Sequence, residues 1–159
     1  MSPADLLVLS IAVGIVVSFL FSEVYGLAAG GVVVPGYIAL YLTEPYALGL
    51  TLGCAAATFA ITKVISSFVI VYGRRRTSLT ILIGFALGAS VGRVDALPSF
   101  LGEEQVDLHV IGYIIPGLIA IWFDRQGIAP TTASLAIAAT VVRLVLLLAV
   151  GPIVLQGAT

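Results

Sequence analysis

The sequence predicts an all-α polytopic membrane protein of about six transmembrane segments, built as two three-segment repeats in inverted orientation, each with a Pro-Gly-broken middle helix. Three observations carry this prediction. The 159 residues are 60% hydrophobic and 9% charged with a mean hydropathy of +1.20, against about 25% charged in soluble domains. Apolar stretches near the roughly 20 residues that cross the hydrocarbon core recur along the whole chain. A Pro-Gly motif also occurs twice, once in the middle segment of each half.

The first segment covers residues 6–21. Its flank, Met1-Ser2-Pro3-Ala4-Asp5, has no Lys or Arg, which reads as a retained helix rather than a secretory signal. The second covers 27–42 and is interrupted by Pro35-Gly36. The third runs over 47–72 and stops at Arg74-Arg75-Arg76, and the fourth covers 79–91. A polar loop with Asp95, Glu103, Glu104 and Asp107 follows. The fifth, 108–123, is interrupted by Pro116-Gly117, and the sixth runs over 131–155. The expected organisation is one membrane domain, residues 1–159, with repeat one at 1–76 and repeat two at 77–159. Positive charge collects in cytoplasmic loops, so the arginine triplet is expected inside, with Arg125, and the acidic loop and both termini outside. Arg93 is the exception.

The repeat is visible in the residues themselves. Gly31-Val-Val-Val-Pro35-Gly36-Tyr-Ile38-Ala39-Leu returns 81 residues later as Gly112-Tyr-Ile-Ile-Pro116-Gly117-Leu-Ile119-Ala120-Ile, identical at five of ten positions. An odd number of crossings per half inverts the second copy, as in many transporters whose site lies where the copies meet. Re-entrant Pro-Gly segments would instead leave the halves parallel. Proline removes a donor and crowds the carbonyl four residues earlier, and in both copies that residue is glycine, Gly31 or Gly112. A break is therefore expected near the centre of each middle helix, lining either a packing kink or a functional path. A half-helix starting at Pro35 or Pro116 would turn the positive end of its dipole into that space.

Small residues at four-residue spacing mark packing faces: Ser10, Gly14, Ser18 and Ser22; Gly49, Gly53 and Ala57; Gly84, Gly88 and Gly92. Such faces serve contacts within the subunit or between copies, so a homo-oligomer is admitted. Lys63 and Arg143 are the unusual side chains. Each lies roughly 12–13 Å of helix from the end of its segment, near the middle of a ~30 Å core, where a central cation opposes insertion by about 2.5 to 3.5 kcal/mol. Snorkelling, Glu23 or an anionic visitor could each neutralise them.

Other chemistry is sparse. Seven Lys and Arg against eight Asp and Glu give a net charge of −1, and no basic footprint for nucleic acid exists beyond the arginine triplet. Cys54 and His109 are single, so neither an internal disulfide nor a Cys/His zinc site can form, and no metal is expected. No phosphate loop or dinucleotide fingerprint is present, so no cofactor and no catalytic residue is expected. Glu103-Glu104 reads as a solvated loop and His109 as an interfacial residue.

The run Glu23-Val-Tyr-Gly26-Leu-Ala-Ala-Gly30-Gly31-Val-Val-Val-Pro35-Gly36-Tyr37, the junction Tyr72-Gly73-Arg74-Arg75-Arg76, and Ile114-Ile115-Pro116-Gly117-Leu118-Ile119-Ala120 with Gln126-Gly127 resemble the PgsC/CapC family of poly-γ-glutamate biosynthesis proteins. The resemblance covers nearly the whole chain in matching order, except residues 94–105. It implies a multi-pass subunit of the poly-γ-glutamate synthase complex in the cell membrane. Its partners would be a cytoplasmic Mur-ligase-like ATP-dependent ligase (PgsB/CapB) and a membrane-anchored extracellular protein (PgsA/CapA). The small subunit would support polymerisation and export without being a catalyst itself. On this reading Gly31, Pro35, Gly36, Gly112, Pro116, Gly117, Lys63 and Arg143 are candidates for a translocation path, and Arg74, Arg75 and Arg76 for contact with a partner or with membrane lipid. The rival reading is a free-standing small-anion secondary transporter or channel.

Overall fold

A computed structural model describes residues 3–68, 73–94 and 113–151. Its elements are α1 (Pro3–Tyr25), α2 (Val34–Leu40), a 3-10 turn (Tyr41–Thr43), α3 (Pro45–Phe68), α4 (Arg74–Val94), α5 (Ile115–Gln126) and α6 (Ile128–Val150). No strand occurs among the described residues. By length and composition three described helices can cross a membrane, Asp5–Tyr25, Pro45–Phe68 and Ile128–Val150.

α1, α3 and α6 follow from predominantly apolar sequence, and the helix ends from local chemistry. α3 opens on Pro45, whose missing N–H costs nothing in a first turn. α5 passes into α6 through Gly127 at φ +94, a left-handed conformation that a side chain would strain. The N–H of Gly127 donates to Phe123 O at 3.1 Å, closing the last turn of α5. α6 ends at Val150, with the N–H of Gly151 donating to Leu147 O at 3.1 Å; the expected continuation over 152–155 lies outside the described residues. The arginine triplet, expected in a loop, is instead the first turn of α4.

The middle segment of the first half departs most from expectation. It is not a long helix broken at its centre. Residues 26–33 are non-helical, and helix begins only at Val34, with Pro35 in its first turn and seven residues in all. Proline fits a first turn because no helical partner is needed there. α5 likewise opens at Ile115, one residue before Pro116.

Two compact units emerge, Met1–Pro45 with Trp122–Thr159, and Tyr46–Ile121. In the first, Leu6, Ala39, Val142 and Leu146 form a buried cluster from α1, α2 and α6. Lipid is as apolar as these side chains, so dispersion and close packing hold them rather than expulsion of water. In the second, the buried face of α3 carries Thr51, Cys54, Ala55, Thr58 and Thr62. Thr51 and Thr58 donate to the carbonyls four residues back, Ala47 O at 2.8 Å and Cys54 O at 2.7 Å, which lets a hydroxyl sit in an apolar face without an exposed donor.

Candidate functional site

Both Pro-Gly pairs are seated the same way. Gly36 lies against α1 so closely that a Cβ on Gly14 would stand 2.6 Å from Gly36 Cα, and a Cβ on Gly36 would stand 2.7 Å from Ser10 O. Ser10 Oγ donates to Gly36 O at 2.6 Å, a buried bond across the same crossing. In the other unit a Cβ on Gly84 would stand 2.5 Å from Gly117 Cα, and one on Gly117 would stand 3.0 Å from Ile81 Cα. The small-residue faces of α1 and α4 are thus seats for the Pro-Gly backbone. The third face behaves differently: nothing lies within 4 Å of a Cβ on Gly49 or Gly53.

The buried faces of α3 and α6 run in one register. Thr51, Cys54, Ala55, Thr58 and Thr62 match Thr131, Ser134, Leu135, Ala138 and Val142 position for position. That register pairs Lys63 with Arg143, 80 residues apart. Their surroundings nevertheless differ. Arg143, half-buried, donates through one guanidinium nitrogen to Ala39 O at 3.0 Å and Leu40 O at 3.2 Å, the last carbonyls of α2. A cation at the end of α2, where the chain tightens into the 3-10 turn, complements the carbonyls of the last turn and the negative dipole end. Lys63 is exposed, with its ammonium 5.4 Å from the centroid of Phe59. The carbonyls corresponding to Ala39 and Leu40 belong to Ala120 and Ile121, inside a helix that continues to Gln126. No helix end is available there for a lysine to cap.

Residues 26–33 are unwound: the ends keep backbone bonds, Gly26 N–H to Ser22 O at 2.9 Å and Gly36 N–H to Val33 O at 3.2 Å, while Ala28 and Gly31 are bonded by side chains. Gln126 Nε2 donates to Ala28 O at 2.6 Å, and the Ala28 N–H donates to Gln126 Oε1 at 3.2 Å. Ser134 Oγ adds a bond to Ala28 O at 3.0 Å, and Ser18 Oγ a long one to Gly31 O at 3.5 Å. Gly31 adopts φ +129, so its glycine answers a backbone requirement and not the expected relief of a helical carbonyl four residues before Pro35. Beside this segment lies a mostly apolar cavity of about 410 Å³, walled by Ser18, Phe19 and Ser22 of α1, by Ala28 and Gly31, and by Trp122. Arg125 stacks its guanidinium 5.3 Å from the Trp122 ring centroid.

Of the sequence candidates, Gly31, Pro35, Gly36 and Arg143 lie in one unit, and Lys63, Pro116 and Gly117 in the other, with Arg74, Arg75 and Arg76. Gly112 lies outside the described residues, as do Tyr72, Glu103, Glu104, His109 and loop positions 95–105. Gln126 and Ser134 were not candidates from sequence. The signal available for them was an amide and a hydroxyl at the margins of apolar segments, where a polar side chain needs a partner. Among the described residues no three His, Cys, Asp or Glu side chains converge as a metal site.

The family model described as "Capsule biosynthesis CapC" matches residues 13–132. The chain is 33% identical over 129 residues to "PGA biosynthesis protein CapC" of Bacillus subtilis (strain 168), covering 80% of this chain and 85% of the relative. It is 34% identical over 126 residues to "Capsule biosynthesis protein CapC" of Bacillus anthracis, covering 79% and 83%. No solved structure matches. A match spanning both Pro-Gly seats and the arginine-led helix between them makes this membrane protein a member of the capsule biosynthesis CapC family.

Proposed function

We propose that the chain is a non-catalytic, multi-pass cell-membrane subunit of a poly-γ-glutamate synthase and export complex. It supports ATP-dependent glutamate polymerisation by a CapB-like cytoplasmic ligase, alongside a CapA-like membrane-anchored protein. The carrying observation is the family membership, with relatives named for PGA and capsule biosynthesis. The unwound residues 26–33 leading into a half-helix support the export part, because transporters build their paths from discontinuous segments of this kind. The domain is proposed as two inverted three-segment repeats, 1–76 and 77–159. The path includes Gly31, Pro35, Gly36, Gly112, Pro116, Gly117, Lys63 and Arg143. The deciding experiment is co-purification with the ligase together with polymer output in its absence. Transport of a small anion by the isolated protein in proteoliposomes, with no ligase association, overturns this reading in favour of a free-standing transporter.

Arg74 and Arg75 are exposed in the first turn of α4, where cations oppose the helix dipole. An acidic ligase surface or anionic headgroups would offset that cost. Replacing all three arginines by Gln, with a compensating upstream topology signal, is expected to weaken ligase co-purification; unchanged recovery leaves them a topological role alone. A reporter fused after Arg76 is expected to behave as cytoplasmic and one at Glu103 as external. The reverse labelling overturns the proposed orientation.

A further inference from the structure

We infer that Gln126 is the positioning residue of the unwound segment, its carboxamide serving as a peptide partner for Ala28 and so fixing the conformation of residues 26–33. The inference deepens the export reading and rests on it only for the transport consequence. Gln126 closes α5, and Gly127 turns the chain away behind it. Both polar ends of its amide are used on one residue: Oε1 accepts from the Ala28 N–H at 3.2 Å and Nε2 donates to Ala28 O at 2.6 Å. Ser134 Oγ approaches the same carbonyl at 3.0 Å, its single hydrogen shared with Thr131 O at 3.1 Å. A primary amide offers a donor and an acceptor side by side, so the Gln126 carboxamide and the Ala28 N–H and C=O satisfy one another. The ends of this clamp are 98 residues apart in sequence. Adjacent to the clamped residue stand Ala29, almost fully buried, and Gly31, which faces Trp122 across the cavity wall.

The chemistry requires an amide. A carboxylate at this position has no donor and would set its oxygens against Ala28 O, whereas a protonated carboxylic acid restores both bonds, its C=O accepting from the N–H and its O–H donating to the carbonyl. Gln126→Glu is therefore a version of the clamp that pH switches. No ionisable side chain lies in residues 26–33 or in α6 before Arg143; on α5 the charged neighbours are Asp124 and Arg125, and α1 contributes Glu23 and Tyr25 near its end.

The test is amide hydrogen exchange of the full-length protein over a peptide covering residues 27–33, as the ratio of Gln126→Glu to wild type at each pH. Normalising at each pH removes the intrinsic base catalysis of exchange. The expected ratio is near one in acid and rises about tenfold in alkali, the effect of losing a part-buried hydrogen bond. Gln126→Leu is expected to show the raised rate at every pH, with α6 peptides remaining protected. A Gln126→Glu ratio independent of pH, whether near one or raised throughout, overturns the inference. Exported polymer per ligase turnover is then followed across the same pH range. If exchange titrates and export does not, the clamp stands and the export reading falls.

Discussion

Alanine at Gly14 or at Gly84 is expected to remove most folded protein, while alanine at Gly49 or Gly53 leaves the yield near wild type. All four are helix-interior glycines in apolar surroundings, and propensity alone would favour alanine at each by up to about 1 kcal/mol. The difference lies in what the new methyl meets. At Gly14 it would stand 2.6 Å from Gly36 Cα and 2.7 Å from Gly36 N, and at Gly84 2.5 Å from both Gly117 Cα and Gly117 N. These are backbone atoms, and no side-chain rotation can move them aside. Overpacking costs about 1–3 kcal/mol even where side chains can adjust, so here the helices must separate. Separation at Gly14 also stretches the Ser10–Gly36 bond. Size-exclusion yield and thermal unfolding of detergent-solubilised protein measure the effect. Normal behaviour of Gly14→Ala and Gly84→Ala would show that the Pro-Gly pairs are not seated on these glycines. A loss at Gly49 or Gly53, where nothing lies within 4 Å, would place a second copy or a partner helix on that face.

Arg143→Met is expected to cut exported polymer by about tenfold or more while ligase association persists. The reason is the length of α2. At seven residues it is below the ~12–15 residues at which an isolated helix becomes even marginally stable, so its end depends on outside partners. Arg143 supplies one, through bonds to Ala39 O and Leu40 O. A hydrogen bond to a charged group contributes about 1.5–3 kcal/mol, which corresponds to roughly a ten- to hundredfold change in an equilibrium. Arg143→Lys keeps the charge but not the planar fork and is expected to fall between. Lys63→Met is expected to have a smaller effect, because Lys63 is exposed and caps no helix end. The double Met variant is expected to export least. The measurement is extracellular polymer against ligase turnover in isolated membranes, and normal export from the double variant would sink the conduit role while leaving scaffold function intact.

Much of this architecture is local and therefore legible in the residues. Helix follows from long apolar runs, so α1, α3 and α6 cover the described helical parts of 6–21, 47–72 and 131–155, whereas α4 covers 79–91 but begins at Arg74. The four-residue spacing of Ser10 and Gly14, and of Gly84 and Gly88, marks faces smooth enough for a backbone to approach. Proline-glycine twice over marks two helix starts, because proline's missing donor and fixed φ suit a first turn. Tertiary structure alone decided the rest. Gly26, Gly30 and Gly31 weaken a helix over residues 26–33 and all three take positive φ, but the Leu, Ala and Val between them are equally apolar as helix or as coil, so the residues alone do not state that the whole run is unwound. At Ala28 the bonds that a helix would have made within itself come from Gln126 and Ser134, about a hundred positions away. Arg143 likewise shows as a costly buried cation in the sequence, but only the fold brings it to the end of α2, 103 and 104 residues away. Hydrophobic burial is written in composition and period, whereas a hydrogen bond between distant segments depends on which backbone groups the packed chain leaves without a neighbour.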